Sequence, residues 1–279
     1  MNAASLTVTL ALIRDTFREA FARRIFWGFF ACSSALLLFL LFILRIDVAE
    51  GTVATMSIFG NSNGRTLEVS QLVHRFQGGI AMVLYFAGMA LAVFASAGLV
   101  SAVFEPGRIE LLLSKPVSRT HLLLGRYVGN LLVVAANVIY LVVGSWIIFG
   151  IKTGVWGAGF LLSSLCTIFV FAVLLAVIVL VGVLLDSAAV ATMVTFAIMI
   201  ITPILAQRFT IERLLSSEWS RQVVRGMYYV LPKTADISLI IWRLILQEPV
   251  ESWMPLWSTA LFGAVVLGIG LWRFEKRSF

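Results

Sequence analysis

Few stretches of this 279-residue chain carry side chains that do chemistry. GNSNGRT, Gly60 to Thr66, has the glycines and hydroxyl of a phosphate-cradling loop. Such a loop needs four residues between its glycines and a lysine before the Ser/Thr, so that backbone N–H groups wrap the phosphate and the ammonium reaches it. Here three residues separate Gly60 from Gly64, and Arg65 stands where the lysine would. The stretch reads as a turn, and the chain has no nucleotide-hydrolysing site of its own. His74 and His121 form no His-Glu-x-x-His pair, and Cys32 and Cys166 no Cys-x-x-Cys, so neither a metal cluster nor a disulfide framework is expected. Hydrolysis inside a membrane would need a metal, an aspartate pair or a Ser–His dyad at depth, and Asp186 alone at the end of an apolar run cannot supply one. Ion-driven carriers usually place a carboxylate or a base at that depth. The apolar runs of this chain hold none, although Asn130, Asn137, Thr192, Thr195 and Thr202 could bond across helices or simply pack.

The strongest concentration of charge between apolar runs is GRIELLLSKPVSRTHLLLGR, residues 107–126. Pro106 and Gly107 end the preceding helix, and Pro116 breaks the chain again. Between the breaks there is room for one or two helical turns. Leu111, Leu112 and Leu113 are adjacent, so one helix cannot hide all three in a membrane. They stand beside Arg108, Glu110, Lys115 and Arg119. A knob that is apolar at its centre and charged at its rim fits a partner's groove. An interfacial turn with its basic residues on lipid headgroups fits the same residues. Ser118 is placed to cap the helix that carries Arg119 and His121 onward.

The elements that would hold this segment follow from composition. The chain is 61% hydrophobic and 13% charged, with mean hydropathy +1.01. That is too apolar for a soluble core and points to an integral membrane protein. The net charge of +7 reads as topology signals and headgroup contacts, not as a nucleic-acid surface. No secretory leader is expected, because the N-terminal stretch lacks a basic region followed by a cleavage site. Six apolar runs are long enough to span, at about 25–44, 79–103, 127–150, 157–185, 188–206 and 255–272, and none contains a charged residue or a histidine. Asp186 and Ser187 alone join the fourth to the fifth, which forces a hairpin, and Asp186 is placed to cap the fifth. Six spans put both termini on one side. That side carries eleven basic residues in short segments, which favours a cytoplasmic location for the termini.

Before the first span, Leu6, Leu10, Ile13, Phe17 and Phe21 recur at helical spacing, with Arg14, Asp15, Arg18 and Glu19 on other faces and Glu19 four residues before Arg23. This predicts an amphipathic helix over residues 5–24, lying on the lipid surface. Segment 45–78 reads as a polar outer loop. Segment 207–254 carries two apolar stripes divided by Pro232, which predicts two short amphipathic helices that dip into the outer leaflet or cap the bundle.

Residues 105–126 resemble the first cytoplasmic loop of the type-2 ATP-binding-cassette permeases. Glu105, Gly107, Glu110, Leu111, Leu112, Ser114, Pro116, Val117, Ser118, Arg119, Gly125 and Arg126 carry the likeness; Pro106, Arg108 and Ile109 depart from it. The lead-in TFREAFARRIF, the turn DSAA and the stretch YVLPKTADIS extend it over most of the chain. The resemblance implies one permease domain over residues 1–279. It is all-α, with six transmembrane helices, an N-terminal elbow helix, a short cytoplasmic coupling helix and small outer helices between spans five and six. It implies a non-catalytic subunit of an exporter in a bacterial or archaeal inner membrane. Two permease copies would pair with two separately encoded ATPases, which hold the ATP and Mg. The coupling helix near 108–115 would dock on the ATPase through Glu105, Gly107, Arg108, Glu110, Leu111, Leu112, Ser114, Lys115, Pro116 and Arg119. The elbow would be carried by Arg14, Phe17, Arg18 and Phe21. A subunit that passes motion to an outer partner without moving a substrate is the alternative.

Overall fold

The computed structural model describes Arg14, Arg18, Glu19, Phe21 and residues 24–49, 53–58, 61–62, 67–101 and 118–276. Helix α1, Arg24–Leu38, runs on as a π-helical turn, Phe39–Ile43. Helix α2, Val69–Val83, passes through a second π turn, Leu84–Gly88, into α3, Met89–Ser101. Then follow α4, Arg119–Thr153; α5, Ala158–Leu185; and α6, Ala188–Ala206. Three shorter helices, α7 (Arg208–Leu214), α8 (Glu218–Val230) and α9 (Thr234–Leu246), precede α10, Met254–Glu275. Five helices are long and apolar enough to cross a membrane: Val69–Ser96 within α2–α3, α4, α5, α6 and α10. Trp27–Phe42 is a shorter apolar helix.

Several boundaries differ from those read in the sequence. The second long helix begins at Val69, not at 79, so His74 and Arg75 lie on it. The apolar run marks only the part of that helix most suited to lipid, and helix geometry does not stop where hydropathy does. Asp186 does not cap α6. It ends α5 in the left-handed conformation, with φ 51°, while Ser187 is the cap and accepts from the Val190 N–H at 3.3 Å. In a two-residue turn one residue must reverse the chain, and Asp tolerates that conformation better than most. Segment 45–78, read in the sequence as an outer loop, is not only a loop. Strand β1, Leu44–Ala49, pairs antiparallel with β2, Val53–Ile58, and β2 also pairs with β3, Asn61–Ser62, and β4, Leu67–Glu68. The remainder of the GNSNGRT turn lies outside the described residues. Gly60 to Gly64 also spell Gly-x-Ser-x-Gly, but a nucleophile turn puts its serine between strand and helix. Ser62 sits in a strand opposite Ser57.

Helix α5 is the centre of the bundle. It is apolar on every face, as a helix surrounded by others must be, and α2, α3, α4, α6, α9 and α10 all pack on it. Phe160, Phe171, Leu174, Leu175 and Ile178 are fully buried along it. Segment 207–254 does more than cap this bundle. Its helix α9 is wedged among α2, α5 and α6, with Ile237, Ile241 and Ile245 fully buried. Two glycines make the slot. A Cβ on Gly78 would fall 2.7 Å from the Trp242 ring, and one on Gly159 only 1.9 Å from the Leu244 carbonyl oxygen. Small residues let helices approach this closely. The α8–α9 turn is held below the ends of α6 and α10. Thr234 meets Thr202 at 2.5 Å, Tyr85 donates to the Thr234 carbonyl at 2.6 Å, and the Lys233 N–H donates to Thr259 at 2.9 Å. The turn between α8 and α9 is thus fastened to α6, to α10 and to the Leu84–Gly88 turn.

Candidate functional site

The segment expected to dock a partner sits between α3 and α4. Glu105, Gly107, Arg108, Glu110, Leu111, Leu112, Ser114, Lys115 and Pro116 lie outside the described residues, as does Phe17 of the lead-in helix. The structure does describe what receives that segment. Ser118 is the N-cap of α4, in extended conformation, and its hydroxyl accepts from the His121 N–H at 3.4 Å and touches the His121 ring. Arg119, half-buried, opens the helix. At 35 residues, α4 is about 52 Å long at 1.5 Å per residue, well beyond the ~30 Å of a bilayer's hydrocarbon. It is therefore long enough to carry displacements at its first turn across the whole thickness.

Helix α4 is tied to the N-terminal part of the chain at three levels. Near its start, Arg126, 3% exposed, donates to the Glu19 carboxylate at 2.5 Å. Midway, Tyr140 stacks on Phe30 at 4.9 Å and its hydroxyl meets Ser34 at 3.2 Å. Near its end, the Lys152 ammonium donates to the carbonyls of Leu40 and Leu41, at 2.9 and 2.7 Å. Those carbonyls lie in the π turn, where the regular hydrogen-bond ladder is interrupted. The three ties advance in the same order along both segments, so α1 and α4 run parallel. Of the lead-in residues, Arg14, Arg18, Glu19 and Phe21 are helical, and Arg14, Arg18 and Phe21 are exposed. Trp27 donates to the Phe21 carbonyl at 2.9 Å and packs on its ring at 6.2 Å, which ties Phe21 of the lead-in to α1.

The polar residues inside the bundle divide. Ser96 donates to Asn130 across α3 and α4 at 3.2 Å, and Thr202 crosses to α9. Thr192 and Thr195 bond to carbonyls of their own helix, at 2.7 and 2.8 Å. Asn137 is buried with no partner for its amide. Among the described residues no three of His, Cys, Asp and Glu converge to hold a metal ion. The arrangement supports mechanical coupling and packing more readily than bond-making chemistry.

Comparison with known families supplies the deciding observation. A family model described as ABC-2 family transporter protein matches residues 10–279. The chain belongs to the ABC-2 transporter family. No curated protein matches the sequence. Within an ABC-2 protein the long apolar helices are those of a multi-pass membrane subunit, and members of this family are generally non-catalytic. The Glu19–Arg126 pair was not legible in the sequence. Glu19 read as a helical neighbour of Arg23, which lies outside the described residues. Its observed partner is 107 positions away, and no spacing rule reaches that far. An acid within a basic lead-in was the available signal, and Asp15 shares it with Glu19.

Proposed function

We propose that the chain is the membrane-spanning subunit of an ATP-driven exporter, drawing its energy from a separately encoded cytoplasmic ATPase. The observation that carries this is the family match over residues 10–279, and the tied pair of α1 and α4 supports it. In this reading the chain crosses the membrane six times, with both termini in the cytoplasm. Segment 104–126 holds a coupling helix that docks on the ATPase through Arg108, Glu110, Leu111, Leu112, Lys115 and Arg119. The lead-in helix is an elbow on the inner leaflet. Two permease copies, identical or homologous, face each other, and ATP with Mg is bound by the ATPases alone. ATPase closure pushes the coupling helix, α4 transmits the push, and Glu19–Arg126 carries it to the elbow. Co-expression with the ATPase followed by purification tests the reading: a stable complex is expected. Charge reversal at Glu110 or Arg119 should separate ATP hydrolysis from transport while the permease stays folded. Retention of no ATPase, together with full transport in those variants, would sink it.

A second reading has one favouring observation, the ordered outer region α7–α9 together with the β1–β4 sheet. The same ATPase-driven motion could act on an extracytoplasmic partner without moving a substrate. ATP-dependent substrate movement in liposomes lacking any such partner would eliminate it.

A further inference from the structure

Beside the α8–α9 turn lies a cavity of about 390 Å³, bounded by the α6–α7 junction, α9 and the first turn of α10. That is the size of sites that hold small molecules. Its polar side carries Arg208, Tyr228, Asp236, Arg243 and Glu251. Its apolar side includes Phe209, Leu239 and Met254, which are 67%, 60% and 45% exposed.

The charges on the polar side are not all balanced. Arg243 pairs with Glu251 at 2.8 Å. Asp236 accepts from Tyr228 at 2.6 Å and lies in the field of Lys233, a residue 3% exposed, whose buried ammonium stands 4.8 Å over the Tyr228 ring and has no hydrogen-bond partner. Glu212, the next carboxylate near Arg208, holds Arg225 through two bonds of 3.0 and 2.6 Å. Arg208 remains. Its guanidinium is clamped 3.8 Å over Tyr228 and 4.5 Å over Phe209, and among the described residues it forms no ion pair. A cation held on aromatic faces has fewer conformations to lose when it meets an anion.

We propose that this cavity binds an amphipathic molecule through one anionic group, a phosphate or a carboxylate. The head sits on Arg208, with the buried Lys233 adding positive field behind Tyr228, and the apolar part lies along Phe209, Leu239 and Met254. The site is formed by this chain alone and does not depend on the ATPase reading.

The test uses the purified full chain in phosphatidylcholine nanodiscs, without ATP or ATPase, titrated with a fluorescent alkyl phosphate. Saturable binding is expected, weakened at least about tenfold by Arg208→Gln, as loss of a charge-assisted contact implies. Arg213→Gln, which removes an exposed cation outside the cavity lining, should leave it unchanged. Leu239→Trp, at an exposed wall position, should weaken binding without touching Arg208. Dodecylphosphocholine, which has the same tail but no net charge, should compete poorly. Equal affinity in wild type, Arg208→Gln and Leu239→Trp would overturn the proposal, and so would equal competition by inorganic phosphate, which lacks the tail. Nanodiscs with added phosphatidylglycerol distinguish the sources. Displacement of the probe marks a bilayer lipid as the occupant, and no displacement marks a soluble amphipath; either result sustains the amphipathic anion. Failure here leaves ATPase coupling untouched, and failure of coupling leaves this binding intact.

Discussion

At the residue scale, two buried charges have opposite consequences. Arg126 is 3% exposed and faces Glu19. Glu19→Gln leaves that guanidinium buried without its carboxylate, which costs about 3 kcal/mol when a buried pair is broken from one side. Thermal unfolding in detergent should show the loss, and the charge-swapped double variant Glu19→Arg/Arg126→Glu should recover part of it. Additive losses in the double variant would mean that the pair does not interact. Lys233 is buried without a hydrogen-bond acceptor. Burial lowers its pKa from the usual 10.5, Asp236 opposes that fall and Arg208 adds to it. A lysine with a lowered folded pKa binds fewer protons folded than unfolded, between the lowered value and 10.5. Stability therefore rises with pH through that window and is lost as pH falls through the folded pKa. Relative to Lys233→Met, the wild type should gain stability as pH climbs toward 10.5. An unfolding difference that is flat with pH would contradict this.

At the element scale, how closely the helices approach depends on a few glycines. Gly159→Ala would force a methyl group against the Leu244 backbone. It should cost at least about 2 kcal/mol, because backbone gives way less readily than a flexible side chain. Gly79, on the same helix as Gly78, has nothing within 4 Å of a built Cβ. Gly79→Ala should be neutral or stabilising by about 0.5–1 kcal/mol, the usual gain for alanine inside a helix. Equal unfolding midpoints for the two variants would argue against the α5–α9 contact. The same contact marks how far the sequence was readable. The apolar runs gave α5, α6 and α10 to within about three residues, since lipid demands about 20 apolar residues in series, whereas α4 begins eight residues before its run, at Arg119. They did not give α9 as an inserted helix. Its stripe of Ile237, Ile240, Ile241 and Ile245 looks the same whether it meets lipid or protein, and Gly78 and Gly159 carry no label of their partners. The break at Pro232 was legible, but the second break at 215–217, which separates α7 from α8, was not. The Ser118 cap was readable because a cap is local. The α5–α6 cap was misassigned by one residue because Asp186 and Ser187 are both good caps, and only the turn's left-handed residue decides between them.

At the scale of the whole molecule, α4 stands between the segment that would meet an ATPase and the helix that leads the chain into the membrane. It is capped at Ser118, anchored at Arg126 and Tyr140, and bound again at Lys152. Its three ties reach Glu19 of the lead-in, Phe30 and Ser34 of α1, and the π turn that follows α1, so in the proposed mechanism a push at the first turn of α4 would pass to this whole N-terminal stretch. The α8–α9 turn, held by Thr202, Thr234 and Thr259, is where that motion would arrive in the proposed mechanism. The composition that made a membrane protein evident also hid its partner, because an interface for another chain and one for lipid headgroups draw on the same leucines and arginines. The most direct test is affinity purification of the full chain from its own membranes, with ATP hydrolysis measured in the eluate. The account predicts an ATPase in amounts equal to the permease, lost or uncoupled when Arg119→Glu is introduced. Folded permease that elutes alone, with no ATP hydrolysis above a mock purification, would contradict it.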